Sequence, residues 1–311
     1  YCLSPVHMGA GQAIGVVDNP IQRERHTGHP VFAGSGLKGA FRDVFEQLAK
    51  QEAGNAEAGR KLTFDVFGPE AGNAEHAGAV SFTDAQVVLF PVRSLRESFV
   101  YATCPTALAR LKRAGELVGA NISWAVPELA KDDFCIVSDN SGLTIQAKLN
   151  NNTADTIILE SFQFVVETET TRKKLVADIA SWLSDCALPK DDSYKFFREK
   201  VKKHLVILSN TRFDYFVQNA TTVEPHVRID DATGTADDGG LFYTENVPPE
   251  ALFFSVVMAS QQRVKRGEGS NGVKNAKDVM GYLERFLDNQ VVQVGGDATN
   301  GRGLVMVTFA G

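Results

Sequence analysis

The sequence predicts an α+β fold in which an antiparallel β-sheet carries its helices on one face. Residues 37–52 place apolar side chains at helical spacing, whereas residues 87–92 and 304–309 are short apolar runs rich in β-branched side chains. Helix-like and strand-like segments intermix without the strict alternation of a parallel sheet with helical crossovers. No repeat of about 20–50 residues is visible, which argues against a solenoid.

The first half of the chain contains two predicted helices and two predicted strands. An amphipathic helix is predicted over residues 37–52, followed by a polar loop over 53–60. Short strands are predicted over 80–82 and 87–92, joined by a turn. A second helix is predicted over 105–117.

The middle of the chain is less clearly patterned. Residues 131–156 are polar, and their pattern assigns them to no particular kind of element. A single strand is predicted over 157–167, where apolar and β-branched residues recur, and a helix over 171–183. These two elements extend the same α+β pattern.

The last third contains two pairs of strands, each joined by a glycine-containing loop. Residues 222–230 and 241–247 predict a long β-hairpin whose polar loop, 232–240, is too long for a tight turn. Residues 291–294 and 304–309 predict two further strands around a loop with four glycines. Both loops are candidates for ligand contact.

The composition is that of an ordinary globular protein and limits the possible functions. Of the 311 residues, 43% are apolar and 23% are charged, and the net charge is −6. This negative charge, taken alone, argues against nucleic acid, because phosphate contacts need Lys and Arg. Basic residues nevertheless cluster in residues 18–42 and 93–113, and RNA can bind along such local patches.

The sequence predicts a cytoplasmic protein. No apolar run approaches the roughly 20 residues that cross a bilayer, and no signal peptide is recognised. The four cysteines are widely spaced and form no CxxC pair, which argues against a zinc site or a disulfide framework. We expect reduced thiols at Cys2, Cys104, Cys135 and Cys186.

The segment 7–30 combines glycines, which let the backbone approach a ligand, with groups that carry chemistry. A carboxylate such as Asp18 can hold Mg²⁺ or accept a proton from a ribose 2′-hydroxyl, and His7 can transfer protons. The alternatives are an Asx turn at Asp18, followed by Asn and Pro, and a hydrogen-bonded loop histidine at His7. The basic run 23–26 suits either RNA contact or a solvated face.

The segment GSGLKGAFR, residues 34–42, opens a helix with a Gly-Ser-Gly turn. Lys38 lies in the first helical turn and Arg42 follows four residues later, so both side chains share one face. A cation there opposes the helix dipole, and an external phosphate would remove that conflict. The spacing is not that of a P-loop, and an ordinary exposed lysine is the alternative.

The two late loops offer further RNA-binding chemistry. Leu241 and Phe242 directly follow the hairpin loop and could stack against bases, although an edge hairpin with a core aromatic is equally compatible. The glycine loop 295–303 contains Arg302, and its backbone N–H groups could face a phosphate chain. A single glycine-rich loop is weak support by itself.

Taken together, these segments resemble the RAMP superfamily, and specifically the Cmr-type backbone subunit of type III-B CRISPR complexes. The resemblance covers nearly the whole chain in the same order. It is carried by GVVDNPIQRERHTGHP (15–30), GSGLKGAFR (34–42), FPVRSL (90–95), RIDDATGTADDGGLFYTENVP (228–248) and GGDATNGRGLV (295–305).

The resemblance implies one RAMP domain over residues 1–311, with an RRM-like, ferredoxin-like palm. The palm would carry insertions at about 53–79 and 118–156 and a protruding β-hairpin thumb at about 224–248. It also implies a crRNA guide, a complementary single-stranded target RNA, further copies stacked head to tail and other Cmr-type subunits. Each copy would cleave the target at regular intervals in a reaction that needs Mg²⁺ or Mn²⁺.

Residue by residue, the resemblance gives Asp18 the role of catalytic group and metal ligand, and His7 that of its catalytic neighbour. It gives Lys38 the guide contact, with Arg42 beside it. Asp237 and Asp238 depart from the expected thumb because they would repel phosphate. The complete set of predicted RNA-binding residues is Lys38, Arg42, Gly34, Ser35, Gly36, Arg23, Arg25, Leu241, Phe242, Gly295, Gly296 and Arg302.

Two other functions remain compatible with the sequence. A purely structural RNA scaffold would keep the guide contacts but leave Asp18 without a catalytic role. A guide-processing nuclease of the same superfamily would work through histidine chemistry without metal, so that EDTA would not inhibit it. An enzyme acting on something other than RNA is disfavoured, because no cofactor motif or metal-ligand cluster occurs.

Overall fold

A computed structural model describes residues 1–11, 15–70, 76–139, 141–149, 152–263 and 274–310. Parts of both predicted insertions, residues 71–75, 140 and 150–151, lie outside the described residues. The helices are α1 (Gly34–Ala53), α2 (Ala56–Phe67), α3 (Pro105–Val118), α4 (Thr170–Cys186), α5 (Lys195–His204), α6 (Asn210–Asn219) and α7 (Ala276–Leu287). None of the described helices is long and apolar enough to cross a membrane.

The strands form one large sheet and three two-stranded sheets. In chain order they are β1 (Val31–Phe32), β2 (Val80–Phe82), β3 (Ala85–Arg93), β4 (Phe99–Thr103), β5 (Phe134–Val137), β6 (Ile145–Leu149), β7 (Asn152–Leu159), β8 (Phe162–Val166), β9 (Leu205–Leu208), β10 (Thr222–Ile229), β11 (Ala236–Asn246), β12 (Leu252–Phe254), β13 (Val257–Ala259), β14 (Val291–Gln293) and β15 (Leu304–Met306). The large sheet has the order β1-β3-β4-β9-β5-β8-β7-β6, with β12 also paired to β3. The small sheets are β10–β11, β13–β2 and β14–β15.

The predicted mixture of helices and strands is confirmed, but the sheet is not purely antiparallel. Strand β9 pairs parallel to β4, and β8 pairs parallel to β5. Parallel neighbours need a long crossover connection, and β4 is separated from β9 by about a hundred residues of other structure. Such pairing depends on the route of the chain between strands, which the strand sequences themselves do not reveal.

Helices cover both faces of the sheet, so the prediction of helices on one face is wrong. In β9, Val206 and Leu208 belong to one core cluster, and Leu205 and Ile207 to another on the opposite face. The first cluster receives apolar residues of α1, α6 and α7, and the second receives those of α4 and α5. All four residues of β9 are buried, as expected for a strand covered on both sides.

The predicted helix over 37–52 is confirmed as α1, but the predicted polar loop over 53–60 is wrong because α2 begins there. The side chain of Asn55 caps α2 by accepting hydrogen bonds from the backbone of Glu57 and Ala58, at 2.8 and 3.3 Å. Gly59 lies against the backbone of Lys50, where an added Cβ would come within 2.6 Å. The small, polar residues that resembled a loop therefore allow two helices to pack closely.

Of the later predictions, the helices are confirmed, whereas the single strand 157–167 and the loop 232–240 are wrong. The predicted strand 157–167 is two antiparallel strands, β7 and β8, separated by a turn at Glu160, whose φ is 50°. The predicted helices 105–117 and 171–183 correspond to α3 and α4. In the long hairpin, β11 already begins at Ala236, inside the predicted loop 232–240. The carboxylate of Asp230 closes the shorter loop by accepting two backbone N–H groups.

Candidate functional site

The candidate site lies at the base of the β10–β11 hairpin, where the loop that contains Asp18 forms hydrogen bonds with β11. Asn19 donates its backbone N–H to the carbonyl of Tyr243 at 3.0 Å and accepts the N–H of Glu245 at 3.0 Å. Oδ2 of Asp18 accepts the backbone N–H of Tyr243 at 2.7 Å. The half-buried carboxylate is thus fixed by a residue 225 positions away rather than by an Asx turn of its own loop.

His7 is held by the same strand. Its Nδ1 lies 2.7 Å from the carbonyl oxygen of Glu245, so Nδ1 carries the proton that this bond needs. In the neutral ring Nε2 is then an acceptor, and in the imidazolium it becomes a donor. The ring is half-buried, and an added Cβ on Gly9 would come within 2.9 Å of Nε2. His7 can therefore take or give a proton at one defined atom.

Backbone groups on one edge of β11 bind both Asp18 and His7. Residues 243 and 245 are two positions apart, and the N–H and C=O groups of such residues point to the same side of a strand. They are roughly 7 Å apart along the chain. Both contacts use backbone atoms of β11, so hairpin formation brings the carboxylate and the imidazole to one edge.

The side chain of Glu245 links this edge of β11 to the segment that follows Asp18. Glu245 as a residue is 6% exposed, and its Oε2 accepts the backbone N–H of Ile21 at 3.1 Å. Its Oε1 accepts hydrogen bonds from Arg23 at 2.5 Å and from Thr221 at 2.8 Å. Arg23 also donates to the carbonyl groups of Gly28 and Val217. The guanidinium of Arg23 is used within the chain, which leaves its predicted RNA contact without structural support.

Replacing Glu245 by Gln is expected to destabilise the chain by about 1–3 kcal/mol, because the charged hydrogen bond to Arg23 is lost in a mostly buried setting. Urea unfolding of the purified chain measures the change. Glu46→Gln is the matched control, since Glu46 forms an i,i+4 pair with Lys50 that is worth at most about 0.5 kcal/mol. Equal losses in the two variants would contradict the anchoring role.

The glycine loop 295–303 supports His7 from another side. The backbone N–H of Gly296 donates to the carbonyl of His7 at 2.8 Å. Gly295 has a φ of 84°, and an added Cβ would come within 2.3 Å of that same carbonyl oxygen. Arg302 in this loop forms an ion pair with Glu224 on β10. The loop therefore contacts both the catalytic candidate and the hairpin.

The N-terminus of α1 adjoins the same region. An added Cβ on Gly36 would come within 2.7 Å of the Met8 side chain, so the Gly-Ser-Gly turn lies next to the segment that carries His7. Ser35 and Gly36 are exposed. The backbone N–H of Gly34 is already bonded to the carboxylate of Asp84 at 2.8 Å. One helix-terminal donor is thus occupied, and the exposed residues remain candidates for phosphate contact.

Two cations of α1 lie close together. Lys38 is half-buried, and its Nζ lies 3.3 Å from the carbonyl oxygen of Val80. Burial, followed by repulsion from Arg42, holds the pKa of Lys38 below its usual value. Neither residue forms an ion pair within the described parts of the chain, and Arg42 stacks over the ring of Phe64 at 5.6 Å. An external anion would relieve the repulsion between the two cations.

The remaining predicted contacts differ in their exposure. Arg25 is exposed, whereas the neighbouring Glu24 pairs with Arg110 at 2.8 Å, which neutralises part of the basic patch 93–113. Leu241 is 54% exposed near the far end of the hairpin. Phe242 is half-buried and stacks on a histidine across the strand pair. Its histidine partner, His226, was absent from the predicted RNA-binding residues.

The described residues contain no group of three or more His, Cys, Asp or Glu side chains that could hold a metal ion. Oδ1 of Asp18 makes no hydrogen bond within the described residues, whereas both carboxylate oxygens of Glu245 are occupied. Among the described residues, Asp18 therefore offers the one carboxylate ligand at this site. Such a donor set fits Mg²⁺ only where substrate phosphates supply further ligands, which is a common arrangement for this ion.

Comparison with known proteins gives a consistent family match. A family model described as the RAMP superfamily matches residues 1–306. The CRISPR system Cmr endoribonuclease Cmr4 of Pyrococcus furiosus is 34% identical over 311 aligned residues, covering 99% of this chain and 93% of the relative. A crystal structure of oligomeric Cmr4 from Pyrococcus furiosus matches with a TM-score of 0.66 at 27% identity, covering 99% and 94% of the two chains.

A further solved structure shares the fold. A cryo-EM structure of the type III-B Cmr-beta complex bound to cognate target RNA contains a chain with a TM-score of 0.66. That chain is 20% identical, and the match covers 98% of this chain and 93% of that one.

Proposed function

The chain belongs to the RAMP superfamily, and on that premise we propose that it is a guide-RNA-binding backbone subunit of a type III-B CRISPR effector complex that also cleaves the complementary target RNA. The relative from Pyrococcus furiosus is a Cmr endoribonuclease, and its match extends over nearly all of both chains. We expect the subunit to stack head to tail with further copies and with other Cmr-type subunits in the cytoplasm. An RRM-like palm and the β10–β11 thumb belong to the same proposal.

One observation carries the catalytic part of the proposal: β11 holds the Asp18 carboxylate and the His7 imidazole along one edge through its own backbone. The reaction that suits these groups is attack of a target 2′-hydroxyl on the adjacent phosphate. Its proton acceptor is Asp18 or Nε2 of His7, and the protonated imidazole can donate to the leaving oxygen. The fixed backbone contacts keep both groups in place before RNA arrives.

We also propose that cleavage needs Mg²⁺ or Mn²⁺, held by Asp18 together with RNA phosphates. The ion would lower the negative charge on the phosphate under attack. The reconstituted complex with its guide is expected to cut labelled complementary RNA in Mg²⁺, to stop in EDTA and to resume when the ion is restored. Target binding, measured in parallel by gel shift, is expected to persist in EDTA.

The same experiment separates the alternatives. Undiminished cutting in EDTA would contradict the metal requirement and favour histidine-only chemistry. Absence of cutting in any ion, with guide and target bound normally, would favour the scaffold function.

Lys38→Ala is expected to weaken guide binding regardless of guide sequence, because a cation without an ion-pair partner in the described residues loses its phosphate contact. Each lost phosphate contact flattens the dependence of log affinity on log salt by about one unit. RNA titrations at several salt concentrations measure the slope. The exposed Lys190, in the connection between α4 and α5, provides the control Lys190→Ala. An unchanged slope in Lys38→Ala would assign this residue to a solvated face.

A further inference from the structure

The β10–β11 hairpin has two chemically different faces. Side chains alternate along β10, so Glu224 and His226 lie on one face, and Val223 and Val227 on the other. The burial follows this alternation: Glu224 and His226 are half-buried, whereas Val223 and Val227 are 45% and 47% exposed. The two faces of the hairpin therefore differ in both burial and side-chain chemistry.

The half-buried face carries a stacked pair of rings. His226 lies opposite Phe242 in the strand register, with ring centroids 5.2 Å apart and planes inclined by 18°. Base–aromatic stacking is the sequence-tolerant interaction that proteins use for unpaired nucleotides. A preformed pair of nearly parallel rings presents such a surface without further ordering of either side chain.

The same face leads directly to the catalytic candidates. Two positions from His226, Glu224 pairs with Arg302 of the glycine loop. Two positions from Phe242, the hydroxyl of Thr244 accepts a hydrogen bond from Asn19, the residue next to Asp18. A step of two residues along a strand is roughly 7 Å. The ring pair is thus two residues along the strands from Glu224, which binds Arg302, and from Thr244, which binds the loop of Asp18.

We propose that the His226–Phe242 pair is the platform on which the thumb stacks a target nucleotide, and that it serves Asp18 of the same chain. The inference rests on the proposed function and assigns RNA contact to His226, which the sequence did not suggest. It also moves the contact from Leu241, which lies on the opposite face with Val227, to the ring pair. Asp18 and the platform are parts of one unit, because Asp18 is bonded to the residue that follows Phe242.

The stacking part is tested by fluorescence in complexes whose copies all carry Asp18→Asn, so that the target remains uncut. The probe is a target RNA with 2-aminopurine at the position next to the mapped cleavage site. Its emission is expected to be quenched by the intact platform and to rise in the double variant His226→Ala, Phe242→Ala, with affinity falling about tenfold. The single variant Phe242→Tyr keeps His226 and an aromatic ring at position 242, and its emission is expected to be quenched as in the intact platform.

The controls distinguish stacking from a loosened hairpin. Val223→Thr and Val227→Thr alter the opposite face while keeping β-branched side chains, and they are expected to leave the emission unchanged. The unfolding midpoint of each variant reports on folding. Tyr243 lies on the same face as Val223 and Val227, and Tyr243→Leu tests that face in a hairpin that keeps both rings. A rise in emission with any of these substitutions would place the contact on that face and overturn the proposal.

The same-chain part is tested by mixing. One preparation carries only Asp18→Asn, and the other carries only His226→Ala with Phe242→Ala. When the two are mixed before assembly on the guide, every copy lacks one half of the unit, and cleavage is expected to stay at the background of the separate variants. Recovery of cleavage at some positions would show that the platform of one chain serves Asp18 of its neighbour. Cleavage by the wild-type complex in the same assay tests the proposed function separately.

Discussion

Replacing Asp18 by Asn is expected to reduce target cleavage by at least about 100-fold while leaving guide and target binding nearly intact. The amide oxygen of Asn can still accept the N–H of Tyr243, so the loop keeps its anchor. What is lost is the negative charge that accepts a proton or contributes a metal ligand. Single-turnover cleavage of labelled target by the reassembled complex measures the effect.

The control for this substitution is Asp43→Asn on the exposed side of α1, which is expected to cut at the wild-type rate. If the complex with Asp18→Asn cut its target as fast as this control, Asp18 would have no catalytic role. The chain would then be a scaffold, and another subunit would have to supply the nuclease.

Replacing Gly295 by Ala is expected to reduce cleavage by about 100-fold as well, because a displacement of about 1 Å at a catalytic group has effects of that size. The added Cβ would come within 2.3 Å of the carbonyl oxygen of His7. That oxygen is a backbone atom and the Cβ position is fixed by the backbone, so neither can rotate away. His7 must therefore move relative to β11. A loss of stability of about 1–3 kcal/mol should accompany the change, since the φ of 84° also disfavours Ala.

Gly119→Ala separates these two causes. Gly119 has a φ of 78°, but an added Cβ there meets nothing within 4 Å. This control should lose stability through backbone strain alone and keep full cleavage. Equal cleavage by the two variants would show that the glycine loop does not position His7.

Local pattern was sufficient to predict the elements that are amphipathic or strongly β-branched. The spacing of Leu37, Phe41 and Phe45 gave the core face of α1, and all three are buried. The same reasoning failed for α2, because its start is formed by small and polar residues whose helical role depends on the cap at Asn55 and on packing against α1. Coverage of both faces of β9 likewise depends on distant helices.

The candidate site was predictable in its residue types but not in its geometry. Asp18 and His7 were identified through a family resemblance, whereas the strand that joins them lies more than 200 positions away. Glu245 corresponds only loosely to the acidic thumb residues of the family and was left out of the predicted catalytic set, and its anchoring role follows from its contacts with Ile21, Arg23 and Thr221. His226 was missed because the predicted loop 232–240 gives a different strand register from the observed one, in which His226 lies opposite Phe242.

The measurement that tests the central claim most directly is cleavage by complexes assembled from wild-type and Asp18→Asn copies mixed in known ratios. If each copy cuts the target with its own Asp18, the fraction cut at every position should fall in proportion to the fraction of wild-type copies, while target binding stays constant. A ladder of products that keeps its full intensity when all copies carry Asp18→Asn would contradict the claim that this chain is the nuclease.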